Sequence, residues 1–299
     1  MITLKDAFEN GESLRAYCQE NHVSIAEAMQ RREVQTSERG RAEIREEMYK
    51  NLVVMRESVY EGLTRKQQPV SGLIGGDAHL LFKYGKYNPY SGSNACRAAA
   101  AAMAVVEVNA SMGKICAAPT AGASGVLPGV LIESARERDW TDEQLVDALF
   151  TAGAIGLLFA RNATISGAGG GCQAETGVAS AMAAAAIVEL SGGAPIQALD
   201  AAAMTIKNIL GLICDPVAGL VECPCIKRNA LGAVNALICA DMALAGITSL
   251  IPFDEVVATM LTVGKDIRSE YRETAKGGLA VTPTGKKVAE RVRRVQGDQ

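Results

Sequence analysis

Apolar residues in this chain recur at helical spacing far more often than they alternate. Ser24-Ile25-Ala26-Glu27 has the form of a capping box opening a short helix. A longer amphipathic helix is predicted from about Ser37 to Leu63, with Met48, Leu52, Met55 and Val59 on one face. Beyond Ser71 the pattern changes, and the chain is rich in Ala and Gly with sparse charge to about residue 250. Asn94 to Met112 reads as a helix closed by Gly113, and Trp140-Thr141-Asp142-Glu143 signals the start of one reaching Ala160. Gln173 to Leu190 is a helix stopped at Ser191-Gly192-Gly193. Pro195 suits the first turn of the next, ending near Ile213. Ile226 to about Ala245 is another, and Pro252 opens a last one reaching about Ala275. The expected fold is all-α, a compact helical core whose small residues let axes approach closely, with glycine loops gathered at one end. Three segments are expected: an N-terminal helical layer over residues 1–66, a main helical domain over 67–276, and a basic, partly mobile tail over 277–299.

With 48% hydrophobic residues, a membrane reading must be weighed. The apolar runs Ala148 to Ala160 and Val178 to Ile187 are shorter than the roughly 20 residues of a spanning helix. The stretch Ala230 to Ile251 carries Asn235 and Asp241. Buried Ala-rich helices explain all three, so no membrane partner is expected. A net charge of -3 and 4% aromatic residues leave neither a basic footprint nor a stacking surface for nucleic acid. Eight cysteines in 299 residues do not resemble a secreted disulfide scaffold. Met1-Ile2-Thr3-Leu4-Lys5-Asp6 opens a charged segment rather than a secretory signal. A cytoplasmic location is expected, with cysteine used for metal or chemistry.

Three cysteines sit at chain corners. Cys172 follows Gly169-Gly170-Gly171, Cys214 lies in Leu212-Ile213-Cys214-Asp215-Pro216, and Cys225 ends Glu222-Cys223-Pro224-Cys225. A thiol at a helix start is easily ionised, and the thiolate is the form that binds metal. Three converging thiolates would hold an iron–sulfur cluster and leave one iron open as a Lewis acid. The spacing Cys172-x41-Cys214-x10-Cys225 is weak by itself; the flanking Gly, Asp and Pro strengthen it. Cys96, Cys116 and Cys239 fit the plainer reading of small buried apolar residues. Cys18 is expected at a surface or interface. Cys223 and Cys225 cannot easily address one corner together, and Cys225 is favoured because a helix follows it directly.

A second constellation runs Ala117-Ala118-Pro119-Thr120-Ala121-Gly122-Ala123-Ser124-Gly125. Small residues before a helix expose successive N–H groups, a nest for a carboxylate, with hydroxyls from Thr120 and Ser124. The alternative is a tight structural turn; no Walker ending follows. In Gly169-Gly170-Gly171-Cys172-Gln173-Ala174-Glu175, the glycines allow close backbone approach, and Glu175 is either an acid–base group or a helix-start carboxylate. Histidine is nearly absent. Of His22 and His79, His79 is the better functional candidate, with Lys114 as another. A histidine base can otherwise come from a second chain.

These residues resemble the alpha subunit, or catalytic domain, of the bacterial iron–sulfur L-serine dehydratases. The matching segments are Ser71-Gly72, Ala118-Pro119-Thr120 through Gly125, Gly171 through Glu175, Cys214 through Glu222 with Pro224-Cys225, Asn229-Ala230, and Thr282-Pro283-Thr284-Gly285. The likeness runs from about residue 15 to 285. It implies a [4Fe-4S] cluster on Cys172, Cys214 and Cys225 and a lyase that converts L-serine to pyruvate and ammonia without pyridoxal phosphate. The cellular role it implies is amino-acid catabolism feeding gluconeogenesis. Serine would sit at the open iron, with one carboxylate oxygen in the nest at Thr120 to Gly125. The family carries a second, smaller domain, so the resemblance also implies a separate beta subunit here, which can supply a histidine. Fused relatives can end in a cysteine that caps the iron; this chain ends Val295-Gln296-Gly297-Asp298-Gln299. Two alternatives stay open: a related cluster enzyme that eliminates sulfide from cysteine, and a non-catalytic helical scaffold with a structural zinc site.

Overall fold

Thirteen α-helices and no strand are present among the described residues, 3–4, 6–69 and 71–297, of the computed structural model. The charged opening from Met1 to Asp6 falls partly outside them, as do Asp298 and Gln299. The first three helices are α1 (Gly11–Asn21), α2 (Ile25–Ser37) and α3 (Arg41–Thr64). Then come α4 (Asp77–Tyr84), α5 (Ser93–Ala110), α6 (Val126–Arg138) and α7 (Asp142–Asn162). A short α8 (Gly167–Gly170) precedes α9 (Val178–Leu190) and α10 (Pro195–Asn208). The chain closes with α11 (Cys225–Leu244), α12 (Phe253–Asp266) and α13 (Pro283–Gly297).

Two helices are apolar on every side and form the centre, as such helices must. All residues of α9 from Val178 to Val188 are buried, nine of them 0% exposed. It is enclosed by α6, α7, α10 and α11. The second, α5, is buried from Ala98 to Val108 and packs between α3, α4, α6 and α11. Close approach depends on small residues. A side chain at Gly125 would collide with the backbone of Ala102 on α5. The longest apolar helix, α7, has the length and composition to cross a membrane, yet 67% of its most apolar stretch is buried in the protein. Phe159 on α7 meets Phe253 on α12 edge-to-face at 5.2 Å.

Local signals set most starts. Ser24 accepts from the Glu27 N–H at 3.0 Å, and Thr141 with Gln144 forms a capping box on α7. Other starts are capped from afar by carboxylates. Asp254 accepts from Gly11 and Glu12 at the start of α1, and Glu189 from Ile25 and Ala26 on α2. Glu107, fully buried, accepts from Gly76 and Ala78 on α4.

The helix expected from Ser37 begins at Arg41, because Glu38 is left-handed (φ 57°) and ends α2. The helix from Pro195 stops at Asn208 rather than Ile213, where Gln173 claims the Gly211 N–H. The one from Pro252 stops at Asp266, because Ile267 turns extended and leads residues 269–273 past Cys214. The basic segment after Gly277 forms a 3₁₀ turn (Gly278–Val281) and α13.

Candidate metal centre

The glycine run and the cysteine that follows are built as one unit. Ser166 caps α8 through the Gly169 N–H at 3.1 Å. Gly171 then takes φ +76°, where a side chain would also lie 2.7 Å from the Leu212 carbonyl. That turn delivers Cys172 to a π-helical turn, Gln173–Gly177, a distortion common at functional sites. Gln173 anchors it, donating to Met260 O at 2.9 Å and accepting from Gly211 N–H at 2.8 Å.

The turn sets Cys172 and Glu175 against Cys214, with their ligating atoms all within 4.8 Å of one another. Cys214 stands in the loop after α10, held by Tyr271 and Glu273 on either side. Cys225 opens α11, and its thiol feels the charges of Cys172 and Glu175 from outside that tighter group. The three cysteines are 2%, 2% and 8% exposed and form no disulfide.

Electrostatics single out one thiol. Cys172 is shifted down from its ordinary value by a hydrogen bond from Cys214 and by the Arg228 guanidinium, whose Nη1 lies 3.3 Å from Sγ. Cys214 is shifted up, because its proton is held by Cys172 and burial disfavours its charge. Burial pushes Cys225 up to about 12. Helix-start position therefore does not ionise all three, as the sequence suggested: the hydrogen bond to Cys172 keeps the proton on Cys214, and burial keeps it on Cys225. Burial also raises the Glu175 carboxyl, which accepts from Thr120 Oγ1 at 2.8 Å.

The segment Thr120 to Gly125 faces this group through Thr120 and Gly122. Ala121 is exposed, Ala123 buried. Ser124 is buried and its hydroxyl donates to Ala121 O at 2.7 Å. The Gly125 N–H donates to Asn229 Oδ1 at 3.0 Å. His79 lies on α4 with Nδ1 2.7 Å from Leu63 O, and Lys114 is exposed in the connection after α5. Cys96 and Cys239 are buried, Cys116 is half-buried, and Cys18 is buried at 2% rather than at a surface.

Sequence reasoning gave no role to Arg228, Asp215 or Asn229. Arg228 joins Cys172, Ile213 O (2.9 Å) and Asp215 (2.8 Å), and Asp215 also accepts from Leu279 N–H at 2.8 Å. Asn229, fully buried, donates to Gly122 O and Cys225 O. For Arg228 and Asn229 the signal was the position one turn after Cys225, on the same helix face.

The donor set suits a thiophilic metal. A cradle lies beside it: a methyl group at Gly167 would sit 2.9 Å from Glu175 Oε2 and 3.0 Å from Cys214 Sγ. This is an all-helical domain whose loops meet at a buried, thiol-rich centre with side chains that could hold a metal.

The comparisons place it more narrowly. Residues 20–280 match the family described as Serine dehydratase alpha chain. A Bacillus subtilis protein named "Probable L-serine dehydratase, alpha chain" is 50% identical over 286 residues, 95% of both chains. The "L-serine dehydratase, alpha chain" of Peptoniphilus asaccharolyticus is 44% identical over 272 residues, 91% of this chain and 93% of that one. The "L-serine dehydratase" of Streptomyces coelicolor is 40% identical, over 93% of this chain but 62% of its own length. The chain belongs to the serine dehydratase alpha chain family, a family of lyases.

Proposed function

We propose that this chain is the catalytic alpha subunit of an iron–sulfur L-serine dehydratase that forms pyruvate and ammonia in the cytoplasm. The observation that carries the reading is the convergence of Cys172, Cys214 and Glu175, with Cys225 beside them, in a member of this family. A [4Fe-4S] cluster held by Cys172, Cys214 and Cys225 supplies, when bound, a Lewis-acidic iron that makes hydroxide a better leaving group.

The chain's own residues bind and orient. The segment from Thr120 to Ala123 takes the substrate carboxylate; Ser124 and Gly125 shape that segment, since their donors are engaged within it and with Asn229. Glu175, held by burial toward its protonated form and fixed by Thr120, moves a proton at the departing oxygen. A base takes the α-proton, the carbon–oxygen bond breaks, and water leaves. The resulting 2-aminoacrylate becomes an imine and is hydrolysed. We assign that base to a histidine of a partner chain, because His79 is engaged with Leu63 and Lys114 is exposed. The naming of the relatives supports the partner: those named alpha chains match along 88–95% of their own sequence.

The test is anaerobic purification with iron and acid-labile sulfide analysis, then a pyruvate assay with L-serine, with and without a beta chain. Brown protein that turns over L-serine is expected. A colourless zinc protein, or preference for L-cysteine with sulfide release, would overturn the assignment.

A further inference from the structure

After α12 the chain runs parallel to Cys214 and is tied to it twice. The Cys214 N–H donates to Tyr271 O, and the Glu273 N–H donates to Cys214 O, both at 2.8 Å. Glu273 is thereby held at φ +62°, a left-handed conformation uncommon outside glycine. This register brings its carboxylate to the candidate site. Around the position a methyl would take on Gly167 stand Glu175 Oε2 at 2.9 Å, Cys214 Sγ at 3.0 Å and Glu273 Oε2 at 3.2 Å.

Glu273 is exposed, so it forms the solvent side of this group. No basic side chain among the described residues pairs with it: Arg268 is committed to Glu270, and Arg228 to Asp215. An amino-acid substrate offers three polar groups to such a site. Its carboxylate is repelled by Glu273 and has donors along the Thr120 segment. Its ammonium is the group that an unpaired carboxylate can hold by a charge-assisted bond. We infer that Glu273 binds the α-ammonium group of the substrate and so selects α-amino acids over their unaminated analogues. This rests on reading the site as that of a serine dehydratase.

The experiment compares wild type, Glu273→Gln and Glu273→Asp in the iron-loaded complex with its partner. It reads KM and kcat for L-serine, inhibition by 3-hydroxypropanoate (serine without its ammonium), and iron and sulfide content. For Glu273→Gln, the KM for L-serine should rise about 10- to 100-fold, the range for losing a hydrogen bond to a charged group. Inhibition by 3-hydroxypropanoate and the metal content should stay as in wild type, and Glu273→Asp should recover part of the affinity. Unchanged KM, or equal weakening of serine and 3-hydroxypropanoate, would overturn the inference. So would a fall in kcat alone, which would make Glu273 a proton carrier. Wild-type complex with full iron and sulfide but no serine turnover would sink the dehydratase reading itself, and this inference with it.

Discussion

Arg228 is the residue on which most of the site's geometry turns. It is largely buried, and it joins the thiol of Cys172, the carbonyl of Ile213 and the carboxylate of Asp215. Removing one member of a buried ion pair leaves the other charged and unpaired. Asp215→Ala should therefore destabilise the fold by about 3–5 kcal/mol, read by chemical denaturation. Glu175→Gln tests a different role. It keeps the shape that meets Thr120 but cannot carry the proton, so kcat should fall by about 10²- to 10⁴-fold with metal content unchanged. Cys172 and Cys214, which the structure brings together, stood out because Gly, Asp and Pro beside a thiol are not core neighbours. Arg228, Asp215 and Glu273 were not, because their meaning arises only when α11, the 213–215 loop and residues 271–279 meet. Nothing local in Glu273 marks it apart from other exposed glutamates.

Among the elements, helices with their own start signals were readable from the sequence, as Ser24 and Thr141 show. Ends and distortions decided by distant partners were not: the π turn at Gln173, the early ends of α10 and α12, and α13 itself. Starts capped from afar were also hidden, and they have a pH signature. Burial raises the Glu107 carboxyl above its ordinary value while it holds the start of α4. The native state then binds more protons than the unfolded chain from about pH 4.3 upward, so its stability falls as pH rises through the raised value. Glu107→Gln removes this titration. Relative to wild type, the variant should gain stability between pH 4 and pH 7 in parallel denaturant titrations, and a flat difference would refute the cause.

For the molecule as a whole, the candidate ligands and the core are separate. The centre formed by α5 and α9 contains none of Cys172, Cys214 or Cys225. Under the proposed function, metal loss should therefore leave far-ultraviolet circular dichroism intact while lowering Tm, since metal that binds only the folded state at 100 times its Kd adds about 2.7 kcal/mol. Collapse of helicity on chelation would contradict this. The tie between Cys214 and residues 271–273, with Leu279 on Asp215, also has a consequence for biosynthesis. Translation runs from N- to C-terminus, so all three thiols emerge before the segment that ties down Cys214 exists. Under the proposed function, metal insertion in the cell then belongs after residues 271–279 have emerged, and a chain cut at Asp266 should fail to retain iron although every cysteine is present.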